Sequence, residues 1–251
     1  MLDIEKEHLI EEPVDIWTFI TDNKYLGKWT NNGELIWGWW KSFFHNFNYK
    51  DYRNVYEMLF LGTEAIGKTV ASRIIFLYNL YRYMLIKDID SYFNFPKEEK
   101  TLHFAIFNPN QKQTYISIVN IMQASEWFNN NGAFANNMEG FYVPFDKRMI
   151  VCVNPFIPIY GPNDIFVSCL FDDYMLDNKY EDVNENVCVP YTVDLMFAKI
   201  MCQKSVNEAN NSLYLYTALN QKCFSKLINY FESDIAFNKR TFHLCKTDIY
   251  N

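Results

Sequence analysis

Apolar residues along this chain gather in short, almost unbroken runs, each closed by a turn-former or a polar stretch. VYEMLFL (55–61), TLHFAIF (101–107), MIVCV (149–153), IFVSCLF (165–171), SLYLYTALN (212–220) and a last run at TFHLC read as strands. Strands covered on both faces look this way, whereas half-exposed strands alternate apolar with polar. Between the first two runs the period changes. From Lys68 to about Leu85, Val70, Ile74, Leu77, Tyr78 and Tyr81 recur at the spacing of a helix face. NQKQTYISIVNIMQASEWF reads as a second helix, and another runs through Phe231. Buried strands alternating with helices predict an α/β fold with a mainly parallel sheet flanked by helices.

Residues 1–54 are built differently. DIWTFI, ELIWGWWKSFF and HNFNYKDY are rich in aromatics and Asn and predict short helices packed on something larger. Trp37, Trp39 and Trp40 read as packing anchors before they read as a ligand platform, because clustered large aromatics contribute buried area first. Asn129 to Gly140 is a polar loop or a lid. With no internal repeat and no long linker, the economical division is a helical extension over 1–54 and one core over 55–251.

Composition narrows the classes. The 251 residues are 49% hydrophobic, 18% aromatic and 21% charged, which excludes a disordered, collagen-like or coiled-coil chain. The net charge of −7, from 30 acids against 23 bases, means that nucleic-acid binding has to rest on a local basic patch. The six cysteines stand singly, without a CxxC pair or a nearby His at zinc spacing, and read as small buried hydrophobes in a reducing compartment. MLDIEKEHLIEEP carries acids where a signal peptide needs bases, and no run of about 18 apolar residues follows. An intracellular, soluble chain is the expectation.

Against this background one motif carries chemistry. Gly62, Thr63, Glu64, Ala65, Ile66, Gly67, Lys68 and Thr69 fit GxxxxGK[ST] between a strand and a helix, the context a phosphate loop needs. Glycines let backbone N–H groups close around phosphate oxygens, and the helix N-terminus adds partial positive charge. Lys68 then reaches the β and γ phosphates and Thr69 offers a hydroxyl to Mg²⁺, so ATP and Mg²⁺ are the implied ligands. An ordinary Gly turn would not be expected to supply Lys-Thr at both required places. A nucleotide site also needs an acid at the end of a second strand, and IFVSCLF runs into Asp172 and Asp173. Asp172 takes the place of the metal-holding acid. Asp173 stands where many ATPases put a Glu that polarises the attacking water. Two adjacent acids after a strand are also what a solvated strand end looks like.

Other polar groups carry less. Asp177, Glu181, Asp182 and Glu185 fit a solvated loop, the four histidines form no HExxH or triad pattern, and Lys199 and Lys204 read as helix surface before they read as DNA contacts.

YLGKWTNNGELIWGWW, MLFLGTEAIGKTVASRIIFLYNLYRYML and TLHFAIFNPNQKQTYISIVNIMQASEWF together resemble the large terminase subunit of tailed double-stranded DNA bacteriophages, the motor ATPase that packages the genome. The Walker motifs are common to many ATPases; the Trp-rich lead-in and FAIFN are more specific. The resemblance implies a P-loop NTPase with a RecA-like core, acting as an ATP-hydrolysing motor that drives double-stranded DNA into a capsid. It implies a homo-oligomeric ring, a portal protein and a small terminase subunit as partners, and the cytoplasm of an infected bacterial host as location. It also places Thr217, near the end of SLYLYTALN, in the segment that couples hydrolysis to movement. Catalysis would then fall to Lys68, Asp173 and Thr217.

The chain departs from that family at Asp173, where relatives usually carry Glu, and at Gly161-Pro162-Asn163-Asp164, where relatives often have Gly-Arg-Asp. Arg148 and Arg73 are substitutes for the missing arginine by position only. No nuclease domain, and so no nuclease activity, is expected within these residues. The shorter carboxylate motivates a second expectation, a nucleotide-binding assembly module with weak or lost hydrolysis.

Overall fold

The computed structural model of the chain describes residues 4–52, 57–61, 66–93, 101–108, 111–132, 142–144, 149–153, 164–174, 213–218 and 241–245. Strands β1 (Glu57–Leu61), β2 (Thr101–Phe107), β3 (Tyr142–Pro144), β4 (Met149–Val153), β5 (Asp164–Tyr174), β6 (Leu213–Ala218) and β7 (Thr241–Cys245) share one sheet, in the order β3-β4-β2-β5-β6-β1-β7. Every neighbouring pair is parallel except β3 with β4. The pattern of apolar runs did not single out β3, an antiparallel edge strand of three residues that includes Pro144, a residue tolerated at sheet edges. Within the described residues each run read as a strand contains one, and β5 continues past its apolar stretch to Tyr174.

Helix α4 (Lys68–Met84) follows β1 and packs across β5 and β6. The expected one-sided face is too narrow a description. Residues Ile74 to Tyr83 are all buried, while Val70 at the start of that face is exposed. The outer side of α4 is covered by the lead-in, where α1 (Ile16–Thr21), α2 (Gly27–Thr30) and α3 (Gly38–His45) lie. Phe19 stacks on Tyr81 with ring centroids 5.1 Å apart and meets Tyr78 at 5.3 Å. The same two tyrosines fasten the chain entering α1: the Tyr78 hydroxyl donates to the Val14 carbonyl at 2.8 Å, and the Tyr81 hydroxyl accepts from the Val14 N–H at 3.1 Å. A helix buried on all sides is hydrophobic or aromatic all round, which is why α4 reads IIFLYNLYRYM. The Arg82 guanidinium within it lies 3.8 Å above the Tyr49 ring, a cation–π arrangement that suits a buried arginine.

After the short α5 (Ile89–Phe93), the helix expected through SEWF is two helices, α6 (Gln111–Ala124) and α7 (Glu126–Asn131). Ser125 breaks it. Its backbone is extended, and its Oγ accepts the Phe128 N–H at 3.3 Å, the bond of an N-cap. The Trp127 N–H meanwhile donates to the Lys24 carbonyl at 2.7 Å, and its ring stands edge-on to Tyr81 at 4.8 Å. The kink therefore turns α7 onto the lead-in. Of the three lead-in tryptophans read as anchors, Trp40 is buried and Trp39 packs beside it at 4.4 Å, whereas Trp37 is exposed. Cys169, within β5, is buried. Among the described residues no helix is long and apolar enough to cross a membrane.

Candidate nucleotide site at the carboxyl edge of the sheet

Gly62, Thr63, Glu64 and Ala65 lie outside the described residues, as do Arg148, Asn163, Asp177, Glu181, Asp182, Glu185, Lys199, Lys204 and Phe231. Residues 66–69, the second half of the motif, lie within the described residues. Gly67 is the N-cap of α4 and sits at φ 83°, ψ 16°, a left-handed conformation that glycine adopts without steric cost. Lys68 opens the helix and is buried, and Thr69 follows, half-buried. The first N–H groups of an α-helix have no partner within it, and its dipole favours an anion there. Ile66, one residue earlier, is tied from outside the motif: the Trp40 indole Nε1 donates to its carbonyl at 2.6 Å.

Asp172 stands near the end of β5 with 0% of its surface exposed, so a solvated strand end does not describe it. The Arg73 Nε and Nη2 both donate to its Oδ2, at 3.0 and 2.7 Å, and the Arg73 Nη1 donates to the Ser117 hydroxyl at 2.8 Å. The Asn108 side-chain amide donates to the Asp172 carbonyl at 3.2 Å. A buried carboxylate is tolerated when it is paired and hydrogen-bonded, and here α4, α6, β5 and the residue just after β2 each supply one member of the network. Arg73 is a member of this chain's own acid network. It lies five residues after Lys68, which sets the two about 7.5 Å apart along the helix axis.

The sheet order aligns these groups. β6 lies between β1 and β5, with Thr217 in register with Phe60 of β1. On its other side Phe171 of β5 pairs with Tyr216, but Tyr174 pairs with Ala218, a shift that adds a residue to β5 at Asp172 and Asp173. Bulges of this kind re-aim side chains and recur beside active sites. The ends of β1, β6 and β5 thus form one row, at the carboxyl edge where open parallel sheets bind ligands. For Asp173 and Thr217 the backbone is placed in that row; their side chains are outside the described residues.

Mg²⁺ takes oxygen donors, and the hydroxyl of Thr69 with the carboxylate of Asp172 is a donor set of that chemistry. Three participants were not singled out from sequence: Trp40 as a loop contact, Ser117 and Asn108. Asn108 had a signal, since it ends the apolar run TLHFAIF as Asp172 ends IFVSCLF. Arg73 was named from sequence, but as a substitute for a missing arginine and not as the partner of Asp172. No family model, no curated protein and no solved structure matches the chain.

Proposed function

We propose that the chain is the ATP-hydrolysing motor domain of a viral DNA-packaging terminase, a P-loop NTPase with a RecA-like core that couples Mg-ATP hydrolysis to translocation of double-stranded DNA. The observation that carries the ATPase reading is the alignment of a Gly67-Lys68-Thr69 helix start with a buried acid at the end of β5. The terminase reading adds the resemblance of the lead-in and of FAIFN.

In this reading the Lys68 ammonium holds the terminal phosphates and the α4 N-terminus supplies N–H donors to their oxygens. Thr69 and Asp172 would hold Mg²⁺, which when bound neutralises charge between the β and γ phosphates. Arg73 fixes the Asp172 carboxylate so that no rotamer search precedes binding. Asp173 orients the attacking water, and Thr217, on the strand between loop and acid, senses the γ phosphate. A ring of subunits acting on double-stranded DNA, with a portal and a small subunit, completes the proposal.

The test is steady-state ATP turnover of the wild type and of Lys68→Ala with double-stranded DNA present. Turnover in the wild type that falls by at least about a hundredfold in the variant is the expected result; turnover that survives the substitution removes the assigned site. Asp173, one methylene shorter than Glu, favours a second reading, a nucleotide-binding assembly module with weak or lost hydrolysis. Tight ATP binding without turnover, restored by Asp173→Glu, selects it.

A further inference from the structure

Trp40 has the burial of a core residue, at 4% exposure, and the polar contact of a site residue. Its ring is held by Trp39 at 4.4 Å, Phe43 at 5.8 Å, Phe44 at 6.3 Å and Phe60 at 5.9 Å. Phe60 belongs to β1, the strand that runs into the glycine motif, so the indole is referenced to the strand as well as to α3. From that fixed position Nε1 donates to the Ile66 carbonyl at 2.6 Å. A Cβ placed on Gly67 would lie 3.3 Å from both Cδ1 and Nε1 of Trp40. The indole edge therefore lies directly against the peptide that joins residues 66 and 67.

A trans peptide is planar, and its carbonyl and N–H point in opposite directions. Fixing the Ile66 carbonyl on Trp40 therefore fixes the Gly67 N–H on the far side of that peptide, away from the indole. The next peptide is held as well, because the Gly67 carbonyl accepts the Ala71 N–H at 2.9 Å in the first turn of α4. Both ends of Gly67 are thus locked while its φ is 83°.

We infer that Trp40 is a positioning residue for the phosphate loop. It holds the 66–67 peptide so that the Gly67 N–H is presented to the phosphates of a nucleoside di- or triphosphate, in advance of binding. The inference rests on the reading of residues 62–69 as a phosphate loop. A buried indole N–H needs an acceptor wherever it lies; what bears on the loop is that the acceptor here is the carbonyl preceding Gly67 and that the ring edge lies against Gly67 itself. Preorganised donors strengthen binding because the ordering cost is met in folding.

The test uses the full chain with Trp40→Phe, and with benzothienylalanine at position 40, which keeps the shape of indole but has no N–H. Binding of Mg-ADP and of inorganic pyrophosphate is measured by calorimetry, and Tm is followed in parallel. The expected result is an affinity about tenfold lower for both ligands in the benzothienylalanine protein, with Tm close to that of the wild type. Unchanged affinity for both ligands overturns the inference. Weaker ADP binding with unchanged pyrophosphate binding also overturns it, because the ring would then act on the base or sugar. Lys68→Ala separates the premises. If it binds both ligands as the wild type does, the phosphate-loop reading fails; if it loses them while the position-40 variants bind normally, only the role of Trp40 fails.

Discussion

Phe19 in the lead-in and Asp172 at the carboxyl edge are equally shielded, each at 0% exposure, and their surroundings have little in common. Phe19 touches rings on four sides, Tyr25, Tyr78, Tyr81 and Phe128. Its contribution comes from many weak contacts, and losing one costs little. Asp172 depends on directed bonds: Arg73 at its carboxylate, Asn108 at its carbonyl, and Ser117 steadying the arginine. In a buried polar network a missing partner leaves a charge that nothing else can satisfy. The lead-in is thus a graded structure and the acid network an all-or-none one. Chemistry that needs a carboxylate in one place is served by the second kind.

The largest effect on stability is expected at Arg73. Arg73→Ala strands a fully buried carboxylate, and breaking such a pair typically costs about 3–5 kcal/mol. Urea denaturation is expected to show that loss, with ATP turnover at background. A double variant, Arg73→Met with Asp172→Leu, tells the structural role from the chemical one, since hydrophobic replacement of a buried ion pair is often neutral or stabilising. Its expected stability lies within about 1 kcal/mol of the wild type, still without turnover. If turnover returned in the double variant, Asp172 would hold no part in the reaction.

Phe19→Ala is the matching substitution in the lead-in. A large-to-small change in an aromatic core costs about 3 kcal/mol, moderated by how far the site relaxes. Because Phe19 meets α4 through Tyr78 and Tyr81, beyond the turns that carry Lys68 and Arg73, the folded protein is expected to bind Mg-ADP within about twofold of the wild type. Calorimetry at a temperature where the variant is folded checks this. A tenfold loss of affinity would join the two regions into one energetic unit.

The apolar runs revealed the strands because burial on both faces leaves an unbroken apolar stretch, and the change to a helical period after Gly67 revealed the helix that opens at Lys68. The chain concealed what depends on distant partners. IMQASEWF reads as continuous helix by period, and only the Lys24 carbonyl, more than a hundred residues away, shows why Ser125 caps a second helix there. Val70 fits a helix face by spacing, yet the real limit of burial is set by where the lead-in lies on α4. Asp172 was legible as a candidate, but its burial required Arg73, Ser117 and Asn108 to come from three other elements. Trp40 read as one aromatic among many, because nothing local marks which indole N–H meets a loop carbonyl.

The smallest expected effect lies at the exposed start of α1, where the lead-in uses a directed bond of its own. Asp15 is the N-cap: its Oδ1 accepts the Thr18 N–H at 2.9 Å and its Oδ2 accepts the Thr18 hydroxyl at 2.6 Å. Partial burial pushes this carboxyl up, but the hydrogen bonds from Thr18, together with those from the backbone of Trp17 and of Asp15 itself, outweigh it and hold the acid below its usual range. Asp15→Ala is expected to cost about 1 kcal/mol at neutral pH. A depressed folded-state pKa means that the stabilisation is present above the unfolded value, about 3.9, and disappears as pH falls through the lower folded value. Denaturation curves of wild type and variant are therefore expected to differ at pH 7 and to draw together on acidification below about pH 4. A difference that persisted undiminished at low pH would mean that the ionised carboxylate is not what caps α1. Unlike Arg73, this residue can fail without stranding a buried charge, because water replaces the lost partner at an exposed helix end.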